Sequence, residues 1–366
     1  MTNHYANLEV VLAPAQEVAG LHQADWATLL EDSESDNVFL HPAWITAWLE
    51  AWPAYTSSLV LIKQSDKVLG GGVFFSQDAD CLFVGEGRAD YQEVLLAKGV
   101  SPNEAKQVVA AMFDALRKEH SSVRQFRLKR VPEWSFLRQG NIWCNYRVGE
   151  SYTVPAPFLD MSEADVMMNK KSLKRHENKL NRTGTVDFRT YSESSEVLPR
   201  LDGFFDQHIA RWQQTDSPSL FLQETNRRFY QLLAQKLDNT GILQYSELRL
   251  DDDLVAAHFG FLYQSRFYWY KPTYKPELSK LSPGEVLIRN LFRHAQNQNA
   301  RIFDFTIGNE RFKQRFSTGT QTVADLFVTA NTVAWLGFGA KQSIKSAMAS
   351  ARDGTKNIAT SIRGAK

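Results

Sequence analysis

Ser282-Pro-Gly-Glu-Val-Leu-Ile-Arg289 and the run Ala300-Arg-Ile-Phe-Asp-Phe-Thr-Ile-Gly-Asn-Glu-Arg-Phe-Lys-Gln-Arg-Phe316 decide the fold. Serine at an N-cap, proline at the first helical position and glutamate at the third form a capping box with the proline that helix starts favour. The spacing predicts a helix from Ser282 to about Gln298 and a strand over Arg301–Phe305. The same signature stands 181 positions earlier, at Ser101-Pro-Asn-Glu104. There it opens a predicted helix to about Glu119, followed by an alternating strand, Val123–Leu128. Each copy follows a group of strands, so the order of elements repeats with the cap. The expectation is a mixed α/β protein made of two related halves that pack together.

Working outward, the first half reads as helices at Asp25–Leu30 and His41–Trp52, the second burying Trp44, Trp48 and Trp52 at four-residue spacing. Short strands are expected at Leu59–Lys63, Val68–Phe75 and Cys81–Val84. A proline-bearing stretch from Val148 to Pro157 reads as irregular. The second half reads as a capped basic helix, Ser162 to about Asn181, then a strand at Thr185–Thr190 and helices at Glu196–Trp212 and Thr225–Leu237. Strands at Ile242–Leu250, Leu254–Tyr263 and Arg266–Tyr270 lead into the Ser282 helix, and a last strand falls near Thr322–Thr329. The units expected are residues 1–155, residues 156–335 and a flexible or weakly helical basic tail, 336–366.

The chain has 366 residues, beyond the length of about 250–300 at which single cores tend to split. With 43% hydrophobic and 23% charged residues it has an ordinary globular composition, and a net charge of +1 gives no global attraction to nucleic acid. Two cysteines, Cys81 and Cys144, make neither a disulfide framework nor a metal cluster and suit a reducing compartment. No stretch approaches the ~18 apolar residues of a membrane span, and the N-terminus lacks the regions of a signal peptide. A cytoplasmic protein is expected, with peripheral contact at the inner membrane surface open through the tail cations Lys341, Lys345, Arg352, Lys356, Arg363 and Lys366. A phosphate loop, a dinucleotide fingerprint, a Gly-x-Ser-x-Gly elbow and a zinc helix are absent from the sequence. His176-Glu177 lacks a second histidine, so no metal site is expected.

Trp269-Tyr270-Lys271-Pro272-Thr273-Tyr274, the Ser-Pro-Gly helix, Asp304-Phe305, Gly308 and Phe312-Lys313 occur in one order. In this the chain resembles the acetyltransferase family called CelD-like or BioF-associated, in the GNAT superfamily and close to the FemAB peptidoglycan transferases. The resemblance covers about residues 160–320, with a fainter echo at Ala89-Asp90-Tyr91. It implies tandem GNAT-like halves and transfer of an acyl group, from acyl-CoA, to an amino group of a small or sugar-linked acceptor. A role in cell-surface polysaccharide assembly is implied by the resemblance alone. GNAT folds hold the donor's pantetheine beside splayed strands and its pyrophosphate at a helix N-terminus. Ser282, Gly284 and nearby Lys280 are the candidates for that end, although Pro283 lacks an N–H and Glu285 is negative.

FemAB relatives take an aminoacyl group from tRNA, and the basic run Lys170–Arg182 has the charge for such a donor, or for a solvated helix face. A non-catalytic binding module is a third reading. Transfer to an amine needs a neutral nucleophile, a route for its proton and stabilisation of the oxyanion. Asp304, between Phe303 and Phe305, is the first candidate for a base or amine anchor. His258 could shuttle a proton or be a satisfied structural histidine. Tyr270 could protonate a leaving thiolate, or pack. Tyr274, Asp90 and Tyr91 are candidates for the acceptor groove, and Lys313 for phosphate or carboxylate contact.

Overall fold

The computed structural model describes residues 7–343 except 144, 214 and 216. Expectations that fall on Cys144 and on tail residues 344–366, including Lys345, Arg352, Lys356, Arg363 and Lys366, therefore lie outside the described residues. Thirteen strands join in one sheet: β1 (Glu9–Pro14), β2 (Thr56–Gln64), β3 (Lys67–Gln77), β4 (Asp80–Phe83), β5 (Leu95–Leu96), β6 (Gln125–Pro132), β7 (Arg147–Asp160), β8 (Val186–Tyr191), β9 (Leu243–Leu250), β10 (Asp253–Tyr263), β11 (Arg266–Tyr274), β12 (Ile302–Asp304) and β13 (Gly319–Thr329). Their spatial order is β1-β2-β3-β4-β6-β13-β7-β12-β11-β10-β9-β8, with β5 beside β3.

The helices are α1 (Gln23–Asp32), α2 (Pro42–Ala51), α3 (Pro102–Glu119), α4 (Ala164–Met168), α5 (Lys171–Asn181), α6 (Ser194–Val197), α7 (Leu201–Trp212), α8 (Glu224–Lys236), α9 (Pro283–Asn297) and α10 (Arg311–Phe316). The expected single helix over Ser162–Asn181 is broken at Lys170, whose backbone is extended. The expected helix Glu196–Trp212 is interrupted by a 3-10 turn at Leu198–Arg200, which contains Pro199. Residues 332–343 are helical, and Phe338 stacks on Phe327 at 4.5 Å between ring centres.

Two strand pairs are parallel among the described residues, β4 with β6 and β11 with β12. α3 makes the first crossover and α9 the second, each the helix that a repeated cap predicts. Three buried clusters fill the space around the sheet. One lies in the first half around α3, one in the second around α9, and the third is shared. The shared cluster seats Phe39, Trp44 and Trp48 against Phe229, Tyr230 and Tyr270, so the halves meet through aromatic packing.

Val148–Pro157 is a correction. It belongs to β7, which pairs with β13 from Arg147 to Phe158 and with β12 at its end. Its prolines are tolerated because β12 has already ended where they stand. Pro157 O accepts from Phe305 N at 3.0 Å and Pro155 O from Gly308 N at 2.9 Å. That side needs carbonyls only, so a residue without an N–H loses nothing there. The 155/156 boundary falls within this strand.

The two caps also differ. Ser101 accepts from Glu104 N while Glu104 accepts from Ser101 N, a complete capping box. Ser282 has φ +56° and makes no side-chain cap, so the expected second box is absent. Glu285 turns instead to His176 Nδ1 at 2.8 Å and Arg315 Nη2 at 2.7 Å. Ser101→Ala should therefore lower stability by about 1 kcal/mol. Ser282→Gly should be neutral or stabilising, because glycine takes left-handed backbone without strain. Urea midpoints of the two variants check this, and equal losses would contradict it.

Candidate functional site

β11 and β12 pair only from Arg266–Ile302 to Tyr268–Asp304. Beyond that point β12 stops and β11 runs on to Tyr274, paired on its other side with β10. Pro272 sits in this stretch, where the edge facing β12 has no ladder to complete. The divergence opens a cavity of about 550 Å³. Trp269–Tyr274 form one wall, Thr306, Ile307 and Lys313 another, and Ser282–Glu285 of α9 a third. α7 adds His208, Arg211 and Trp212, and the first half adds Asp90.

A β-bulge shapes the strand wall. Phe259 faces Lys271 and Phe261 faces Tyr268, so Trp269 and Tyr270 together oppose Gly260. The bulge leaves the Tyr270 N–H without a ladder acceptor, and His258 Nε2 accepts it at 3.1 Å. The imidazole stacks on Trp269 at 4.9 Å. A Cβ on Gly260 would collide with that ring and with the Tyr268 carbonyl, so the glycine makes the room. Burial pushes His258 down to about 3, so it stays neutral. It does not line the cavity, and its place is that of a structural acceptor rather than a proton shuttle.

Asp304 is likewise behind the wall. It is 1% exposed. Oδ1 accepts from Tyr91 Oη at 2.8 Å and Thr306 N at 2.7 Å, and Oδ2 accepts from Arg266 Nη1 at 3.0 Å. Arg266 also donates from Nε to Asp36 at 2.8 Å. Burial pushes the Asp304 carboxyl upward, against the opposing pull of Arg266, Tyr91 and Thr306. With its partners fixed and no face in the cavity, it joins the halves and does not fit the role of a base. Tyr91 belongs to the same junction rather than to the groove.

Tyr270 reaches the cavity wall, but its hydroxyl donates to Arg88 O at 2.6 Å and accepts from Tyr230 at 3.1 Å. No proton is left for a thiolate. Tyr274, Ser282, Gly284 and Lys313 all line the cavity; Lys280 does not, and is exposed. Lys313 Nζ donates to Ile307 O at 2.6 Å and pairs with Glu310 at 3.2 Å. Asp90 lines the cavity, 4% exposed, held by Arg130 Nη1 at 3.0 Å.

Two side chains that the motif reading passed over stand in the walls. Arg211 donates to Pro272 O at 2.9 Å and lies over the Tyr274 ring. Lys271 is half-buried over the Tyr270 ring, 3.7 Å from its centre. Burial lowers Lys271 to about 8. Lys271 was legible as a polar residue inside an aromatic run; Arg211 carried no local signal.

The start of α9 offers little to a phosphate. Pro283 has no N–H, and the N–H groups of Glu285 and Val286 both go to Ser282 O. Among the described residues no group of His, Cys, Asp and Glu side chains could hold a metal ion, and no helix is long and apolar enough to cross a membrane.

Residues 168–314 match the profile of the family described as an acetyltransferase (GNAT) domain. No curated protein matches the sequence. The structure is similar to FemX, with a TM-score of 0.58 at 10% identity over 87% of this chain and 96% of that one. It is also similar to a conserved protein of unknown function from Bacteroides thetaiotaomicron, TM-score 0.56 at 13% identity, covering 84% of this chain and 96% of the other. L-PGS from Bacillus licheniformis aligns with a TM-score of 0.54 at 12% identity over 85% and 92% of the two chains. The shared feature at such identities is the fold, a mixed α/β architecture of GNAT type.

Proposed function

We propose that the protein is an N-acyltransferase that moves an acyl group from an acyl-CoA thioester to an amino group of a small or sugar-linked acceptor. The observation that carries this reading is the cavity at the β11–β12 divergence, with a buried carboxylate, Asp90, in its wall. A carboxylate there can anchor an ammonium group and take its proton. With that proton on Asp90, the neutral nitrogen attacks the thioester carbonyl, a C–N bond forms, the C–S bond breaks, and the second proton that the nitrogen loses goes to the departing sulfur. The thiol leaves toward α9, where Tyr274 stands, and Asp90 returns its proton to solvent. The acyl and pantetheine parts of the donor suit a strand edge freed of its ladder. Its phosphates do not suit the α9 end, and side-chain cations at the rim, Lys280 and Arg315, take that task. Among GNAT families the motif order resembles that of the CelD-like group, and that resemblance supports the reading.

A second reading, aminoacyl transfer from tRNA to a peptidoglycan-type acceptor, is favoured by one observation. Lys171, Lys174, Arg175 and Arg182 are exposed along α5 and form no ion pair among the described residues, while Lys179 reaches Lys280 O beside the cavity rim. Acetyl-CoA, longer acyl-CoAs and charged tRNA, offered separately with an amine panel, test the choice. Release of free thiol with an acyl-CoA, together with a thermal shift, is the expected result. A response to charged tRNA alone would overturn the first reading in favour of the second. No response to any donor would overturn both.

A further inference from the structure

The carboxylates lining the cavity are all matched. Asp90 pairs with Arg130, Glu310 with Lys313, and Glu285 with His176 and Arg315. Two of the lining cations are not. Lys271 and Arg211 have no carboxylate within 4.0 Å among the described residues. Surplus positive charge favours a ligand with negatively charged acceptor oxygens.

Arg211 lies over Tyr274, but position along β11 separates Lys271 from the donor's end. Gly284 of α9 abuts Tyr274, where an added Cβ would lie 3.4 Å from the ring. Lys271 stands three residues upstream, about 10 Å away at the rise of a strand. It lies over the Tyr270 ring and within electrostatic reach of Asp90, where the amine is anchored on the reading above.

We infer that the acceptor carries an anionic group, a carboxylate or phosphate, beside its amine, and that Lys271 is the residue that selects it. The inference rests on the transferase reading for the word acceptor, but not for the anion site itself. Asp90 and Lys271 then recognise opposite charges on one small molecule, and uncharged amines are poor ligands. The Lys271 ammonium, lowered by burial and by Arg130, Arg88 and Lys313 and held up in part by Asp90, gives a pH signature. It is a cation below about 8, so selection is full there and fades as pH rises through that value.

Calorimetric titration of the full-length protein at pH 7 with two matched pairs tests this without any acyl donor. Glycine is compared with glycinamide, and glucosamine 6-phosphate with glucosamine. One anionic member should bind at least about tenfold tighter than its neutral partner, the expectation for a charge-assisted contact of about 1.4 kcal/mol or more. The pair that shows the preference identifies carboxylate or phosphate. Lys271→Met should remove the preference, Lys271→Arg should retain most of it, and raising the pH to 9 should shrink it. Equal binding within both pairs, no binding of any of the four, or a preference that survives Lys271→Met overturns the inference. Anion-selective binding without acylation from any donor would sink the transferase reading alone; acylation of neutral and anionic amines alike would sink this inference alone.

Discussion

Replacing Asp304 by alanine is expected to lower unfolding free energy by about 3–5 kcal/mol, the usual cost of stranding one member of a buried ion pair. Arg266 would keep Asp36 but lose its inner partner, while Tyr91 Oη and Thr306 N would lose their acceptor. Three elements distant in sequence meet at this carboxylate: the Tyr91 segment of the first half, β11, and the end of β12. Loosening it should also widen the divergence that makes the cavity, so activity should fall with stability. Asp304→Asn keeps an oxygen for Tyr91 and Thr306 and should cost less. Thermal midpoints and urea midpoints of the two variants check the order. An alanine variant of normal stability but no activity would instead return Asp304 to a catalytic role.

That reassignment shows where the sequence is readable and where it is not. The repeated cap marks two strand–helix–strand units, and the structure folds each as a parallel crossover. The cap could not reveal that the Ser282 copy lacks the cap hydrogen bonds, since left-handed backbone at a serine has no local marker. Pro155 and Pro157 hid β7, because a proline's effect depends on which neighbour its missing N–H would face. Candidate residues divided along the same line. Asp304 stands between aromatics and His258 within an apolar strand, and burial is what such patterns also signal. Both satisfy hydrogen-bonding needs of the fold, one at a junction and one at a bulge. Asp90 and Arg211 reach the cavity only through tertiary packing of the first half and of α7, about which local spacing is silent.

Asp90→Asn is expected to reduce kcat for acyl transfer by a factor of about 10²–10⁴, the contribution of a well-placed general base. Stability should change little by comparison. Arg130 also donates to Ala89 O at 2.6 Å, and an asparagine oxygen can still accept from Nη1, so no group is stranded. The sign of the pH effect adds a second check. An amide cannot take the ammonium proton, so the variant depends on amine already deprotonated in solution. Its residual rate should rise with pH toward the pKa of the acceptor amine, more steeply than that of the unchanged protein. Loss of the anchor should also raise KM for the amine while leaving KM for the acyl donor near its starting value, because the donor enters from the α9 end. A variant whose kcat and pH profile match the parent would remove Asp90 from the reaction. The remaining lining carboxylates, Glu285 and Glu310, would then have to be tested as the base, despite the cations that already hold them.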